Sequence, residues 1–142
     1  MKYSVVVLAL AIVGVSFGQT VPEKALADFS ERIESERGST INSNWEVSEN
    51  GCKVVFSTNN AAGEIAYDDH GNYRSSLLQI AFEDLQADVQ SYVTTNYKMK
   101  NVVNSYHLNS GTAPERCVVK IKDKKKIVTI YFRPDGSYHY QE

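Results

Sequence analysis

A pattern near the middle of this chain returns 65 residues later. Cys52, Val54, Phe56, Ile65, Tyr67, Gly71 and Tyr73 are matched at that constant offset by Cys117, Val119, Ile121, Ile130, Phe132, Gly136 and Tyr138. Seven like-for-like matches in one register are hard to obtain by chance. A repeat restricts the available folds, because each copy has to be a supersecondary unit that buries its apolar face against its neighbour. It predicts architecture and leaves chemistry open.

Ahead of the repeat, Met1, Lys2 and Tyr3 make a short positive start, Ser4 to Val15 is almost wholly apolar, and Ser16-Phe17-Gly18 puts small residues where a signal peptidase reads. Residues 1–18 are therefore expected to be a signal peptide, with Gln19 as the new N-terminus. An apolar run of about a dozen residues is shorter than the roughly 20 that cross a bilayer as a helix. No cysteine follows the cleavage site to carry a lipid anchor. What remains, residues 19–142, suits one domain made of two repeats, 19–80 and 81–142. The full chain has 15 basic and 17 acidic residues; losing Lys2 leaves 14 against 17, a net of −3. That balance argues against a general nucleic-acid binder. The halves differ in sign, with 5 basic and 10 acidic residues in the first (−5) and 9 against 7 in the second (+2). The basic excess gathers at Lys120, Lys122, Lys124, Lys125 and Lys126, where such a run reads first as a solvated hairpin tip and second as a surface for an acidic partner.

Each copy reads as a helix followed by strands. Thr20 and Glu23 have capping-box spacing with Pro22 in the first turn, and Val21, Ala25, Phe29 and Ile33 recur every four residues up to a stop at Gly38. Trp45 and Val47 alternate with polar residues, Asn50-Gly51 is a hairpin signal, and strands are predicted over 52–58, 63–68 and 72–80. In the second copy Phe82, Leu85, Val89, Tyr92 and Val93 predict a helix with Glu83 and Asp84 in its first turn. Strands follow over 99–110, 116–122, 126–132 and 137–141, with Pro134-Asp135-Gly136 as a turn. The expected fold is α+β: a tandem duplication of helix plus four-stranded antiparallel meander, both helices on one face of a continuous sheet and the other face open.

Val21-Pro22, Phe29, Trp45 and Val54-x-Phe56, with the turns Asp69-His70-Gly71-Asn72-Tyr73 and Pro134-Asp135-Gly136-Ser137-Tyr138, give the chain a family resemblance. In this order they resemble the PepSY-like, or beta-lactamase-inhibitor-like, secreted domains of Bacteroidetes-type bacteria. The resemblance covers nearly all of residues 19–142. Phe82 departs from it where Leu-Pro is usual, and Cys52 and Cys117 stand where tyrosine is usual. It implies one sheet built from two copies. It also implies a partner-binding role, because related domains are named for an inhibitor that grips an enzyme with a concave sheet, and PepSY domains have been proposed to restrain peptidases.

Cys52 and Cys117 are an even pair at equivalent positions of an exported chain, and so a disulfide candidate. Two separate buried thiols are the other reading. No catalytic residue, metal site or cofactor is predicted: His70, His107 and His139 lack ligand spacing, no Gly-x-Ser-x-Gly or Cys-x-x-Cys occurs, and His70 beside Asp68 and Asp69 falls in a turn. A binding function fits better. If Cys117, Val119, Ile121, Val128, Ile130 and Phe132 face the helices, then Lys120, Lys122, Ile127, Thr129 and Tyr131 face away, joined by Lys53, Val55 and Ala66. The candidate partner-binding residues are Lys53, Val55, Lys120, Lys122, Thr129 and Tyr131. The expectation is an exported binding module, periplasmic or extracellular, for an unidentified protein or peptide, with no nucleic acid and no membrane span after cleavage. A structural or self-associating role in the cell envelope is the alternative.

Overall fold

A computed structural model describes residues 20–34 and 40–142. The expected leader over 1–18 and the helix stop at Gly38 lie outside the described residues. The chain runs α1 (Glu23–Arg32), β1 (Asn42–Ser48), β2 (Gly51–Ser57), β3 (Ala62–Asp68), β4 (Tyr73–Ile80), α2 (Ala87–Asn96), β5 (Val102–Asn109), β6 (Arg116–Asp123), β7 (Lys126–Phe132) and β8 (Tyr138–Gln141). Every strand pairs antiparallel with its neighbours in chain order, giving one sheet of eight strands.

That sheet corrects the predicted tandem of helix plus four-stranded meander. Over the described residues the protein is mostly β, a single eight-stranded sheet with two ten-residue α-helices. The halves do not end as separate sheets, because β4 and β5 pair from Ser76 with Asn109 to Ile80 with Ser105. Backbone groups buried at a sheet boundary would need other partners, and this ladder supplies them.

The helices are local events driven by apolar spacing. On α1, Ala25 and Phe29, with Ile33 just beyond the helix end, bury against Trp45, Cys52, Val54, Phe56, Ile65 and Tyr67. Phe29 meets Trp45 and Phe56 edge-on, each at 5.6 Å between ring centroids, and Trp45 stacks on Tyr67. A polar clasp closes this cluster: the Tyr67 hydroxyl donates to Asp28, Arg32 pairs with the same carboxylate, and the Arg32 guanidinium lies 3.8 Å from the Tyr73 ring centroid. Thr20 does not cap α1 as its spacing predicted. The helix starts after Pro22, whose carbonyl accepts from the Ala25 and Leu26 amides.

The second helix is shorter than predicted. Phe82–Asp84 form a 3-10 turn, Leu85 and Gln86 are extended, and only then does α2 begin. Gln90 holds this entry by donating its side-chain amide to the carbonyls of Glu83 and Leu85, and Gln86 donates to Pro134. Phe82 and Leu85 kept helical spacing with Val89 and Val93, so periodicity alone could not show the break. A 3-10 turn over Met99–Asn101 likewise delays β5 to Val102. Leu85, Val89 and Val93 pack on Cys117, Val119, Ile121, Ile130 and Phe132, a second cluster separate from the first. Between the clusters, on the same face, Ser76 and Ser105 are buried, and Ser105 donates to the Ile80 carbonyl.

The predicted disulfide is also corrected. Cys52 on β2 and Cys117 on β6 are both buried free thiols, one in each cluster. Four strand spacings of about 4.8 Å separate β2 from β6, well beyond the roughly 7 Å that a bridge spans between α-carbons.

Candidate functional site

The face of the sheet opposite the helices follows from strand alternation. Register aligns Gln79, Tyr106, Val118, Tyr131 and Tyr140 side by side across β4 to β8. A second row holds Val55, Glu64, Leu77, Leu108 and Arg116, and a third holds Asn104, Lys120 and Thr129. Val118 is the informative member. It belongs to the open face, yet it is only 1% exposed. Tyr106 and Tyr131 flank it on either side, so it forms the floor of a shelf with aromatic walls. Tyr131 stacks on Tyr140 at 4.6 Å between centroids, and the Lys120 ammonium sits 5.4 Å from the Tyr106 ring centroid.

Burial pushes the Tyr131 phenol up, and the charges of Glu142 and Glu64 and a hydrogen bond with Glu142 push the same way. Its hydroxyl therefore stays protonated. Glu64 itself stands on β3 of the same open face, in the row that ends at Arg116. At the other end of this face Glu46, Ser48, Lys53, Ala66 and Arg74 line an open hollow of about 380 Å³.

The structure divides the predicted binding residues. Lys120 pairs with Thr129, Lys122 follows on the same face, and Tyr131 adjoins them on β7, so these four form one patch. Lys53 and Val55 lie on β2, with β3, β4 and β5 between. Val55 is exposed, but Lys53 is held by Glu46 at 3.3 Å and Glu64 at 4.0 Å. Tyr106, Val118, Tyr140 and Arg116 were missed. Alternation from Lys120 would have found Val118 and Arg116, whereas the two tyrosines needed the register of β5 and β8.

The one group of at least three metal-ligating side chains among the described residues is Asp68, Asp69 and His70. Asp68 is already occupied, accepting from the His70 and Asn72 amides and the Asn72 side chain. Those bonds, the Asn72 side chain foremost, hold its pKa below the usual carboxylate value. His70 and Asp69 pair at 2.8 Å on the surface. The cluster is a stabilised turn.

No protein-family model matches the sequence, and no curated protein matches it. Solved structures do. The chain is similar to a DUF2874 family protein of Bacteroides ovatus, with 16% identity, a TM-score of 0.66, and coverage of 88% of this chain and 89% of that one. A Bacteroides eggerthii protein provisionally assigned to the periplasm shows 11% identity and a TM-score of 0.69 over 87% and 89% of the two chains. A BLIP-like protein of Bacteroides fragilis shows 18% identity and a TM-score of 0.63 over 88% of each chain. The fold is thus shared with BLIP-like and DUF2874 proteins of Bacteroides. Likeness at this identity establishes fold.

Proposed function

We propose that this chain is an exported, non-catalytic binding module that holds a secreted or periplasmic protein on the open face of its sheet. The observation that carries the reading is the shelf of Tyr106, Tyr131 and Tyr140 around the sunken Val118. Aromatic side chains around a dry floor are the arrangement that concentrates binding energy at protein interfaces. Among the described residues no helix is long and apolar enough to cross a membrane. The leader pattern over 1–18 supports export, and the provisional periplasmic assignment of the Bacteroides eggerthii relative agrees with it. The BLIP-like label of the Bacteroides fragilis protein supports a binding role. A peptidase is the finer class of partner, suggested by the PepSY-like turns of the sequence.

Affinity capture with the mature chain from its own envelope and culture fluid tests this. Wild type is expected to retain a stoichiometric companion, while Tyr131→Ala with Lys120→Ala loses it and keeps the urea midpoint nearly unchanged. A change in oligomer mass with no companion at any stage would favour the structural or self-associating role.

A further inference from the structure

We propose that the segment received by the open face is an acidic polypeptide stretch, gripped by a basic ridge that runs along β6. The inference rests on the reading that this face binds a protein, and it names the chemistry of what is bound. Arg116, Val118, Lys120 and Lys122 alternate along β6, so three cations and the sunken valine share the open face. Lys124, Lys125 and Lys126 continue the ridge into the β6–β7 turn.

These cations differ from Lys53 on the same face. Lys53 is satisfied by Glu46 and Glu64, whereas no carboxylate lies within 4.0 Å of Arg116, Lys120 or Lys122 among the described residues. Arg116 and Lys120 are half-buried, and Lys120 is set over the Tyr106 ring. Partly desolvated cations beside aromatic rings attract a carboxylate more strongly than solvated ones. Of the acids on or beside this face, Glu64 on β3 is paired with Lys53, Glu142 bonds to Tyr131, and Asp123 is opposite Lys126 in the last rung of the β6–β7 ladder.

Charge complementarity therefore selects the occupant. The chain as a whole carries −2, which repels an acidic partner at long range, so attraction has to come from the ridge at short range. An extended segment whose carboxylates reach Arg116, Lys120 and Lys122 would present its alternate side chains to Val118 and the tyrosine walls. A basic segment would meet three unpaired cations. A second copy of this chain, whose first half is acidic, and an acidic polysaccharide are the competing occupants.

The probe is a short fluorescein-labelled peptide of aspartate and glutamate with a central leucine and tyrosine. Its lysine-substituted counterpart and polygalacturonate serve as controls. The expected result is saturable binding of the acidic peptide alone, weakening about tenfold or more from about 0.05 M to about 0.5 M salt as charges are screened. K120E with K122E should weaken it about tenfold or more, with circular dichroism and urea midpoint unchanged. Equal binding of both peptides overturns the proposal, as does binding of polygalacturonate in preference to the acidic peptide. So does a doubled mass in sedimentation at low salt that K120E with K122E abolishes. The capture experiment separates the two readings: a companion lost with Tyr131→Ala but kept with K120E and K122E overturns the acidic segment alone. A companion that survives both variants overturns the open face itself as the binding surface.

Discussion

Single side chains at equivalent sequence positions have ended in similar surroundings without meeting. Cys52 and Cys117 are 5% and 4% exposed, and each is a small apolar member of its own cluster. Burial is the main cause that raises both thiol pKa values; the Asp68 charge adds to it at Cys52, and Glu115 adds to it at Cys117 against an opposing backbone bond from Gln86. A thiol that is both covered and protonated is a poor nucleophile. Neither cysteine should react with an aromatic disulfide reagent in the native protein, and both should titrate in urea. One thiol or none in urea would mean that oxidation consumes them. Cys52→Ser should cost about 1–3 kcal/mol in urea unfolding, because a hydroxyl replaces a small apolar group at a site without an evident partner. Parity of cysteines was legible in the sequence. The four strand spacings between the two were not, because they depend on which strands the sheet sets between β2 and β6.

Elements here are joined by two turns of one kind. After β3, Asp68 accepts from the His70 and Asn72 amides, and before β8 Asp135 accepts from the Ser137 amide and hydroxyl. Gly71 and Gly136 take φ of +82° and +85°, a left-handed backbone that side chains disfavour. What each turn presses on differs. A methyl group on Gly71 would come within 2.9 Å of the Ala25 amide nitrogen at the start of α1, whereas on Gly136 it would meet the Gln86 side-chain oxygen at 2.5 Å. Backbone in a helix start cannot retreat, but the end of a glutamine can. Both alanine substitutions carry left-handed strain of about 1–3 kcal/mol. Gly71→Ala should therefore cost more than Gly136→Ala by urea denaturation; equal costs would show that α1 yields as readily as a side chain. These turns were legible because Asp-x-Gly is punctuation that needs no tertiary partner. The start of α2 was not, since the amide bonds of Gln86 and Gln90 fix it against β7–β8 residues and the preceding turn.

At the scale of the molecule, two apolar clusters are bridged by the β4–β5 ladder and by a strip in which Ser76 and Ser105 replace apolar side chains. The alternation that buries Val54 and Val119 was legible residue by residue, and with it the open face of Lys120 and Tyr131. A continuous sheet was expected, but the register that carries it through the centre was not legible, because Ser76, Leu78 and His107 carry no apolar pattern to announce a pairing that backbone bonds provide. Whether that polar strip transmits stability is a measurable property. The chain has one tryptophan, Trp45, buried in the first cluster, so its fluorescence reports the first half alone. Val119 lies wholly in the second cluster and touches nothing of the first. Val119→Ala should cost about 1–3 kcal/mol for the lost methyl groups and the cavity they leave. If the eight strands unfold as one cooperative unit, the Trp45 transition in urea moves to lower concentration by the full cost, although the mutation is remote from the probe. An unmoved Trp45 midpoint, with a tyrosine signal that unfolds earlier, would show instead that the central ladder joins the halves in geometry without coupling their stabilities.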